Sequence, residues 1–137
     1  MLFRSAAAPL LRLPATGAGL RALLQWGAYP SLQVDDAVLA QFLTPLHEPG
    51  GSEAALAAAG ALTADARRLY GNLAAVRQPT LAIWGGRDRV LPPHHADRLR
   101  QALPHARFAV EPASGHCPME DSPLWFARQL AGFFAAT

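Results

Sequence analysis

Two residues of this chain, Asp88 and His116, are of the types that transfer protons together in enzyme active sites. A carboxylate beside an imidazole fixes the tautomer of the ring, and it stabilises the imidazolium that forms when histidine accepts a proton from a nucleophile. Taken singly, Asp88 is a turn residue after two glycines and His116 is a surface loop histidine. Their chemistry therefore depends on whether the fold brings them together.

The elements around these residues follow a strand, loop, helix order that occurs twice after Pro79. The apolar run over residues 80–84 predicts a strand buried on both faces of a parallel sheet, and residues 107–111 predict a second strand. Residues 92–103 predict a helix between them, with two prolines in its first turn. A mostly apolar helix that begins at Ser122 closes the chain and must pack on another element.

The order of these elements predicts where the two loops meet. Two parallel strands joined through a helix form one right-handed βαβ unit, so the loops after both strands leave the same edge of the sheet. Open α/β folds place ligands at this carboxyl edge. We therefore expect the side chains of Asp88 and His116 to lie within hydrogen-bonding distance of each other.

The first half of the chain has a different pattern, in which proline and glycine separate segments with helical spacing. The clearest of these begins after Asp35 or Asp36, either of which can cap it, and its apolar residues recur one turn apart. The predicted helices of this half cover residues 17–26, 36–46, 52–62 and 63–76. The last of them is predicted to have an apolar face formed by Ala66, Leu69, Leu73 and Val76.

Four large side chains of this half are candidates to line a substrate cleft: Trp26, Tyr29, Phe42 and Leu46. Apolar residues at helical spacing usually form core instead, so both roles stay open. His94 and His95 invite a metal-site interpretation with His116 and Cys117. Neighbouring helical residues point about 100° apart, however, and no carboxylate spacing completes a cage. Both histidines are therefore predicted to be exposed first-turn residues, and no metal site is expected.

Two segments of the second half resemble those of a known family. Residues 79–88, Pro-Thr-Leu-Ala-Ile-Trp-Gly-Gly-Arg-Asp, resemble the strand and acid-bearing turn of the α/β-hydrolase family, and residues 90–92 are similar to the family's residues just after that turn. Residues 114–120, Ser-Gly-His-Cys-Pro-Met-Glu, resemble the family's histidine loop. The resemblance covers roughly residues 72–137. The region before it resembles the helical cap that many members carry over the active site.

This resemblance implies an α/β fold in two parts. Residues 1–76 would form a helical cap-like segment, and residues 77–137 would form the C-terminal β-α-β-α part of the hydrolase core, with parallel strands. It also implies a catalytic triad in which His116 is the general base and then the acid, while Asp88 orients it. No metal or organic cofactor is needed for this chemistry. The expected substrate is a small molecule with an ester or a related bond.

The family's nucleophile is missing from the sequence. Members carry it on a sharp G-x-S-x-G turn before the cap, and they build the oxyanion hole from earlier loops. The serines of this chain, none of which stands in that pattern, are Ser5, Ser31, Ser52, Ser114 and Ser122. Cys117 adjoins His116 in a tight loop, so it is predicted to be a small packed residue and not a nucleophile.

The sequence therefore predicts the C-terminal part of an α/β-hydrolase whose nucleophile lies outside this chain. One alternative is an epoxide hydrolase or haloalkane dehalogenase-like member with an aspartate nucleophile, in which Asp88 and His116 keep the same roles. The other alternative is a noncatalytic remnant or interaction module. In the family this chain resembles, the strand that precedes the cap would flank the strand over residues 80–84, so one edge of that strand is expected to lack its partner. The chain is thus also expected to be poorly stable alone or to self-associate through the exposed edge of its sheet.

Composition excludes several other classes. The 137 residues are 51% hydrophobic and 16% charged, with a formal net charge of +2, and acidic and basic residues are interspersed from Asp35 onward. No nucleic-acid partner is expected from this balance. The single cysteine excludes an internal disulfide and is compatible with a reducing, cytoplasmic location. No apolar stretch reaches the roughly 20 residues that span a bilayer, so no membrane segment is expected.

An organelle-targeting peptide is a further interpretation of the N-terminal region. The first thirty-four residues contain Arg4, Arg12 and Arg21 but no acid. Against targeting, the segment has helix-like apolar spacing and no clear small-residue cleavage site. We expect a cytoplasmic protein.

Overall fold

The computed structural model describes residues 17–137 and covers every side chain in that range except those of residues 62–70. Arg4 and Arg12, on which the targeting interpretation rests, lie outside the described residues. The side chains of Ala66 and Leu69, from the predicted apolar face, lie outside them as well.

The helical half begins with α1 (Gly17–Gly27) and α2 (Asp36–His47). Asp35 caps α2, since its side chain accepts a hydrogen bond from the Val38 N–H group at 2.9 Å. The alternative cap, Asp36, pairs instead with the guanidinium of Arg21 on α1. These contacts confirm the predicted start of α2 and join the first two helices.

A single long helix, α3 (Gly51–Asn72), comes next and ends in a 3₁₀ turn, Leu73–Ala75. The prediction of two separate helices over residues 52–62 and 63–76 was wrong. Gly60 and Thr63 each lower helix propensity by about 1 kcal/mol or less, and no proline interrupts the segment. Such weak signals do not end a helix.

The second half builds a two-stranded parallel sheet from β1 (Leu81–Gly85) and β2 (Arg107–Glu111), in register from Leu81 opposite Arg107 to Gly85 opposite Glu111. Helix α4 (His94–Ala102) connects the strands. The predicted order of elements is confirmed, although β1 lies one residue later than expected. The predicted burial of β1 on both faces was wrong. Residues 81–84 are half-buried, and within residues 17–137 β1 pairs with β2 alone.

Two helices come after β2, a short α5 (Pro118–Asp121) and the terminal α6 (Pro123–Phe134). The sequence did not predict α5. Helix α6 contacts β1, but Leu124 and Phe134 at its two ends are 75% and 70% exposed. The expectation that α6 packs on another element therefore holds for one face only.

A core cluster lies at the connection between α1 and α2. Ala28, Tyr29 and Val34, from the connection between α1 and α2, are buried together. Partly buried apolar residues pack around them, and these include Cys117 of the histidine loop. The division into residues 1–76 and 77–137 stays a prediction. Within residues 17–137, no helix combines the length and hydropathy needed to cross a membrane.

Candidate active site

Asp88 lies in the turn after β1, and it is 5% exposed. Its Oδ1 accepts hydrogen bonds from the backbone N–H groups of Val90 and Leu91, at 2.8 and 2.7 Å. Aspartate side chains commonly bond to backbone groups a few residues further along, which stabilises such turns from within. The other carboxylate oxygen, Oδ2, remains for a partner from elsewhere in the chain.

That partner is His116, whose Nδ1 lies 2.9 Å from Oδ2 of Asp88. The expected approach of the two side chains is therefore present. Because a carboxylate only accepts hydrogen bonds, Nδ1 carries the hydrogen and Nε2 keeps its lone pair. The hydrogen bond to Asp88 raises the pKa of His116 above its ordinary value; burial of the ring opposes this, and the charge of Asp88 adds to the rise. The catalytic roles of the pair stay predictions.

The two loops that carry this pair are packed closely against each other. We call the loop after β1 that carries Asp88 the acid loop. Its Arg87 N–H group donates to the carbonyl oxygen of Ser114, at 2.9 Å. A Cβ atom on Gly85 would lie 1.8 Å from the carbonyl oxygen of Gly115. Only glycine allows such an approach between backbones, so the end of β1 and the histidine loop depend on it.

The helical half also holds the histidine loop. The His116 N–H group donates to the carbonyl oxygen of Ala28 at 2.9 Å, and the Ser31 hydroxyl donates to the carbonyl oxygen of Ala113 at 2.8 Å. A Cβ atom on Gly115 would lie 2.3 Å from the carbonyl oxygen of Ala28. The connection between α1 and α2 (residues 28–35) thus packs against the histidine loop and supports it. We call this surface the wall.

Asp121, the last residue of α5, contributes a third support. Its Oδ2 accepts a hydrogen bond from the Gly115 N–H group at 2.7 Å, and its Oδ1 accepts one from the Leu32 N–H group at 2.9 Å. One carboxylate therefore joins the histidine loop to the connection between α1 and α2.

A small cavity of about 110 Å³ opens at the Asp88 and His116 pair. The cavity is lined by the end of β1, with Ile83, Trp84 and Gly85, and by Leu91 of the acid loop. The indole Nε1 of Trp84 donates to the carbonyl oxygen of Leu91 at 2.9 Å, which fixes this side of the cavity. The cavity thus brings the two polar side chains of the pair together with the apolar side chains of Ile83 and Leu91.

The four predicted substrate-lining residues do not border this cavity. Tyr29 is 3% exposed and belongs to the core, where its ring meets that of Phe42 edge to face at 6.4 Å. Trp26 is 59% exposed and lies under the guanidinium of Arg89, 5.0 Å away. Leu46 is half-buried on α2. A substrate-binding role for these residues stays a prediction.

Cys117, next to His116, lies in a different environment. It is half-buried and packs against the core formed by Ala28, Tyr29 and Val34. Burial raises the pKa of the Cys117 thiol, and it also raises that of the Tyr29 hydroxyl. A thiol with a raised pKa is a poor nucleophile at neutral pH, which agrees with a packing role.

His94 and His95 form the first turn of α4, with their ring centroids 4.3 Å apart. His94 is exposed as expected, whereas the expectation of an exposed His95 was wrong because that side chain is half-buried. Burial lowers the pKa of His95, and the charges of His94 and Arg98 act in the same direction. No cluster of three or more histidine, cysteine or acidic residues that suits a metal ion exists in the described part of the chain.

Comparison with known protein families agrees with this architecture. The sequence profile of the alpha/beta hydrolase fold matches residues 21–123, which include both candidate site residues. The chain belongs to the α/β-hydrolase fold family. In this family, a carboxylate and a histidine that meet beyond the ends of adjacent strands are candidates for two members of a catalytic triad.

Relatives from mycobacteria share a shorter segment. Uncharacterized proteins from Mycobacterium bovis and from two strains of Mycobacterium tuberculosis are 36% identical to this α/β-hydrolase chain over 59 residues. The aligned segment covers 43% of this chain and 17% of each relative. The chain thus corresponds to a small part of the relatives it matches.

Sequence reasoning missed two parts of the site, namely Asp121 and the wall formed by Ala28 and Ser31. The only sequence signal for Asp121 was its place in an acidic pair just after the histidine loop, which is also typical of a helix start. Ala28 acts through its carbonyl oxygen, so its residue type carries no signal. Contacts of this kind become visible only in the folded chain.

Proposed function

We propose that this chain provides the base and the acid of a hydrolytic triad that cleaves a small ester or a related bond. His116 is the general base and then the general acid, and Asp88 orients it. The nucleophile comes from residues outside this sequence. The single observation that supports the proposal is the 2.9 Å contact between His116 Nδ1 and Asp88 Oδ2, both of which line a small cavity.

In this proposal each nitrogen of His116 has a separate task. Nδ1 donates to Asp88, and Nε2 accepts the proton of the nucleophile as it attacks the substrate carbonyl carbon. Asp88 then stabilises the imidazolium, and Nε2 returns the proton to the leaving group. The carboxylate is well placed for this because the N–H groups of Val90 and Leu91 hold its other oxygen.

The raised pKa of His116 sets the pH dependence of such an enzyme. Only the neutral ring accepts a proton, so kcat/KM should fall as the pH drops through the pKa of His116. Because that pKa lies above its ordinary value of about 6.5, the loss of activity should begin closer to neutral pH than for an unpaired histidine.

A fusion experiment tests the proposed function directly. The chain is joined behind the nucleophile-bearing part of an α/β-hydrolase from which the corresponding C-terminal part has been removed, and hydrolysis of p-nitrophenyl acetate is measured. We expect His116→Ala to reduce kcat/KM by about 10²–10⁴-fold. His105→Ala, in the exposed turn before β2, is the matched control and should leave the rate unchanged.

One outcome of this experiment would count against the proposal, and a second measurement, on the isolated chain, tests where the nucleophile lies. Equal rates for the parent fusion and the His116→Ala fusion would show that His116 has no catalytic role. The isolated chain should not hydrolyse the ester above its His116→Ala variant, because its sequence contains no G-x-S-x-G turn to carry a nucleophile. Turnover by the isolated chain that disappears with Ser114→Ala or Cys117→Ala would reveal a nucleophile within the chain and overturn this expectation.

A noncatalytic role in association is the second candidate, and it too has a specific observation in its favour. Within residues 17–137, β1 pairs with β2 on one side only. An unpaired strand edge is a template for pairing with another chain. In this alternative the protein self-associates through β1, and the hydrolase architecture serves as a scaffold.

Light scattering coupled to size-exclusion chromatography distinguishes this candidate. Self-association predicts a mass that rises over a roughly hundredfold range of protein concentration, because dimers form by mass action. A single monomeric mass over the whole range, together with a sharp cooperative unfolding transition in urea, would refute it.

A further inference from the structure

We propose that Asp121 is a positioning residue for His116, through which the connection between α1 and α2 holds the candidate base against Asp88. This inference rests on the proposed function, because it assigns to Asp121 a role in the same site. Asp121 touches neither the cavity nor the imidazole ring in the structure. Its action would pass through the backbone of the residue that precedes His116.

The two oxygens of the Asp121 carboxylate have separate partners. Oδ2 accepts from the Gly115 N–H group at 2.7 Å, and Oδ1 accepts from the Leu32 N–H group at 2.9 Å. Leu32 is 89 positions away in sequence, so the contact joins two segments that are distant along the chain. Hydrogen bonds to a charged acceptor are shorter and stronger than those between neutral groups.

Asp121 does not have a more ordinary role that would explain this geometry. It lies in the single turn of the four-residue helix α5, and its side chain does not cap the start of that helix. It forms no ion pair in the described part of the chain. Both of its oxygens are used for holding backbone groups.

The place of Gly115 explains how this contact reaches the histidine. The N–H groups of Gly115 and His116 are consecutive, and each one bonds to a different external acceptor, Asp121 Oδ2 and the Ala28 carbonyl oxygen. Both acceptors depend on the connection between α1 and α2, since Ala28 belongs to it and Asp121 binds Leu32 within it. Loss of the Asp121 contact therefore leaves the histidine loop with one of these two supports.

The experiment uses hydrogen exchange at the imidazole C2 position, followed by mass spectrometry, on the complete 137-residue chain. This method determines the pKa of each histidine separately and works for oligomers as well as monomers. Asp88 is the charged group that acts on His116, so weaker contact with Asp88 should lower the pKa of His116. We expect Asp121→Ala to lower it by about half a pH unit or more. Asp121→Asn, which keeps one acceptor oxygen, should lower it less.

A double variant separates positioning from a direct effect of the Asp121 charge. In an Asp88→Asn background the pair is already lost, so positioning predicts that Asp121→Ala produces no further change at His116. A through-space effect of charge would persist in that background and would also make the Asn and Ala variants equal. Asp97→Asn, which removes an exposed carboxylate paired with Arg100, is the control and should not affect His116.

The outcomes distinguish this inference from the proposed function. If Asp88→Asn does not lower the pKa of His116, the pair itself fails and the proposed function fails with it. If Asp88→Asn lowers the pKa of His116 but neither Asp121 variant does, only the positioning role is refuted. If Asp121→Ala unfolds the chain, Asp121→Asn decides the matter. Unfolding by both variants would assign Asp121 to folding alone and would also refute the inference.

Discussion

The acid loop and the histidine loop position their side chains in different ways. Asp88 is held by the N–H groups of Val90 and Leu91, which are two and three residues further along the same turn. His116 depends on distant residues, since Ala28 binds its N–H group and Asp121 binds that of Gly115. The acid is thus supported locally, and the base is supported by tertiary contacts.

This difference shows which part of the site is sensitive to the helical half. A local turn forms from its own sequence and tolerates changes elsewhere, whereas tertiary contacts disappear when either partner moves. We therefore expect changes in the connection between α1 and α2 to disturb His116 and to leave the turn around Asp88 intact.

The largest effect is expected from Gly115→Ala. A methyl group at Gly115 would lie 2.3 Å from both the Ala28 carbonyl oxygen and the Pro30 side chain, so the histidine loop would have to separate from its wall. We expect the free energy of unfolding to fall by about 3 kcal/mol. Urea denaturation followed by circular dichroism measures this change.

Gly60→Ala is the matched control for that substitution. Gly60 lies within α3, where an added methyl group meets no described atom within 4 Å. Alanine is the better helix former, so this variant should be more stable by about 0.5–1 kcal/mol. A Gly115→Ala variant as stable as the parent chain would show that the wall is not rigid. The histidine loop would then not depend on its contacts with the connection between α1 and α2.

Asp88→Asn tests the pair at the centre of the comparison through the pH dependence of stability. The pKa of His116 is raised in the folded chain. Its contribution to stability is therefore complete below the unfolded value of about 6.5 and is lost as the pH rises through the folded value. We expect the parent chain to lose stability over this window and the Asp88→Asn variant to lose less.

Urea denaturation at a series of pH values from about 5.5 to about 9 measures this dependence. His116→Gln gives an independent comparison. It removes the titrating ring, so it should abolish the part of the pH dependence of stability that His116 contributes. A parent chain whose stability does not change between these pH values would mean that His116 and Asp88 are not paired in solution.

The same contrast explains how much of the site was predictable from the sequence. The meeting of Asp88 and His116 followed from local signals, namely two apolar runs and the residues that end them, combined with the parallel direction of the two strands. The role of Asp121 was not predictable, because it binds Leu32 at a distance of 89 positions. The long helix α3 was missed for a different reason, because weak helix formers such as Gly60 and Thr63 do not indicate whether a helix continues or ends.

Ser31→Ala tests the wall with a smaller change. It removes the hydrogen bond from the Ser31 hydroxyl to the Ala113 carbonyl oxygen, which lies near the surface. We expect a loss of about 0.5–1 kcal/mol and faster amide hydrogen exchange over residues 113–117. Ser52→Ala removes a similar bond to the Leu46 carbonyl oxygen within the helical half. It should cost a comparable amount without affecting exchange in the histidine loop, and equal exchange in both variants would contradict the proposed wall.

The smallest effect is expected from Arg89→Ala, which removes the main contact between the acid loop and the helical half. The Arg89 guanidinium lies 5.0 Å from the ring of Trp26, and its Nη1 is 3.4 Å from the carbonyl oxygen of Trp26, a long hydrogen bond. A cation over an exposed aromatic ring contributes about 0.5–1 kcal/mol. Since Asp88 is held within its own turn, the loss of this contact should lower stability by no more than that and should leave the pKa of His116 unchanged. Arg100→Ala is the control, because Arg100 makes a similar contact with Phe108 on β2, away from the site. A clear fall in the pKa of His116 in the Arg89 variant alone would show that the acid loop also depends on the helical half.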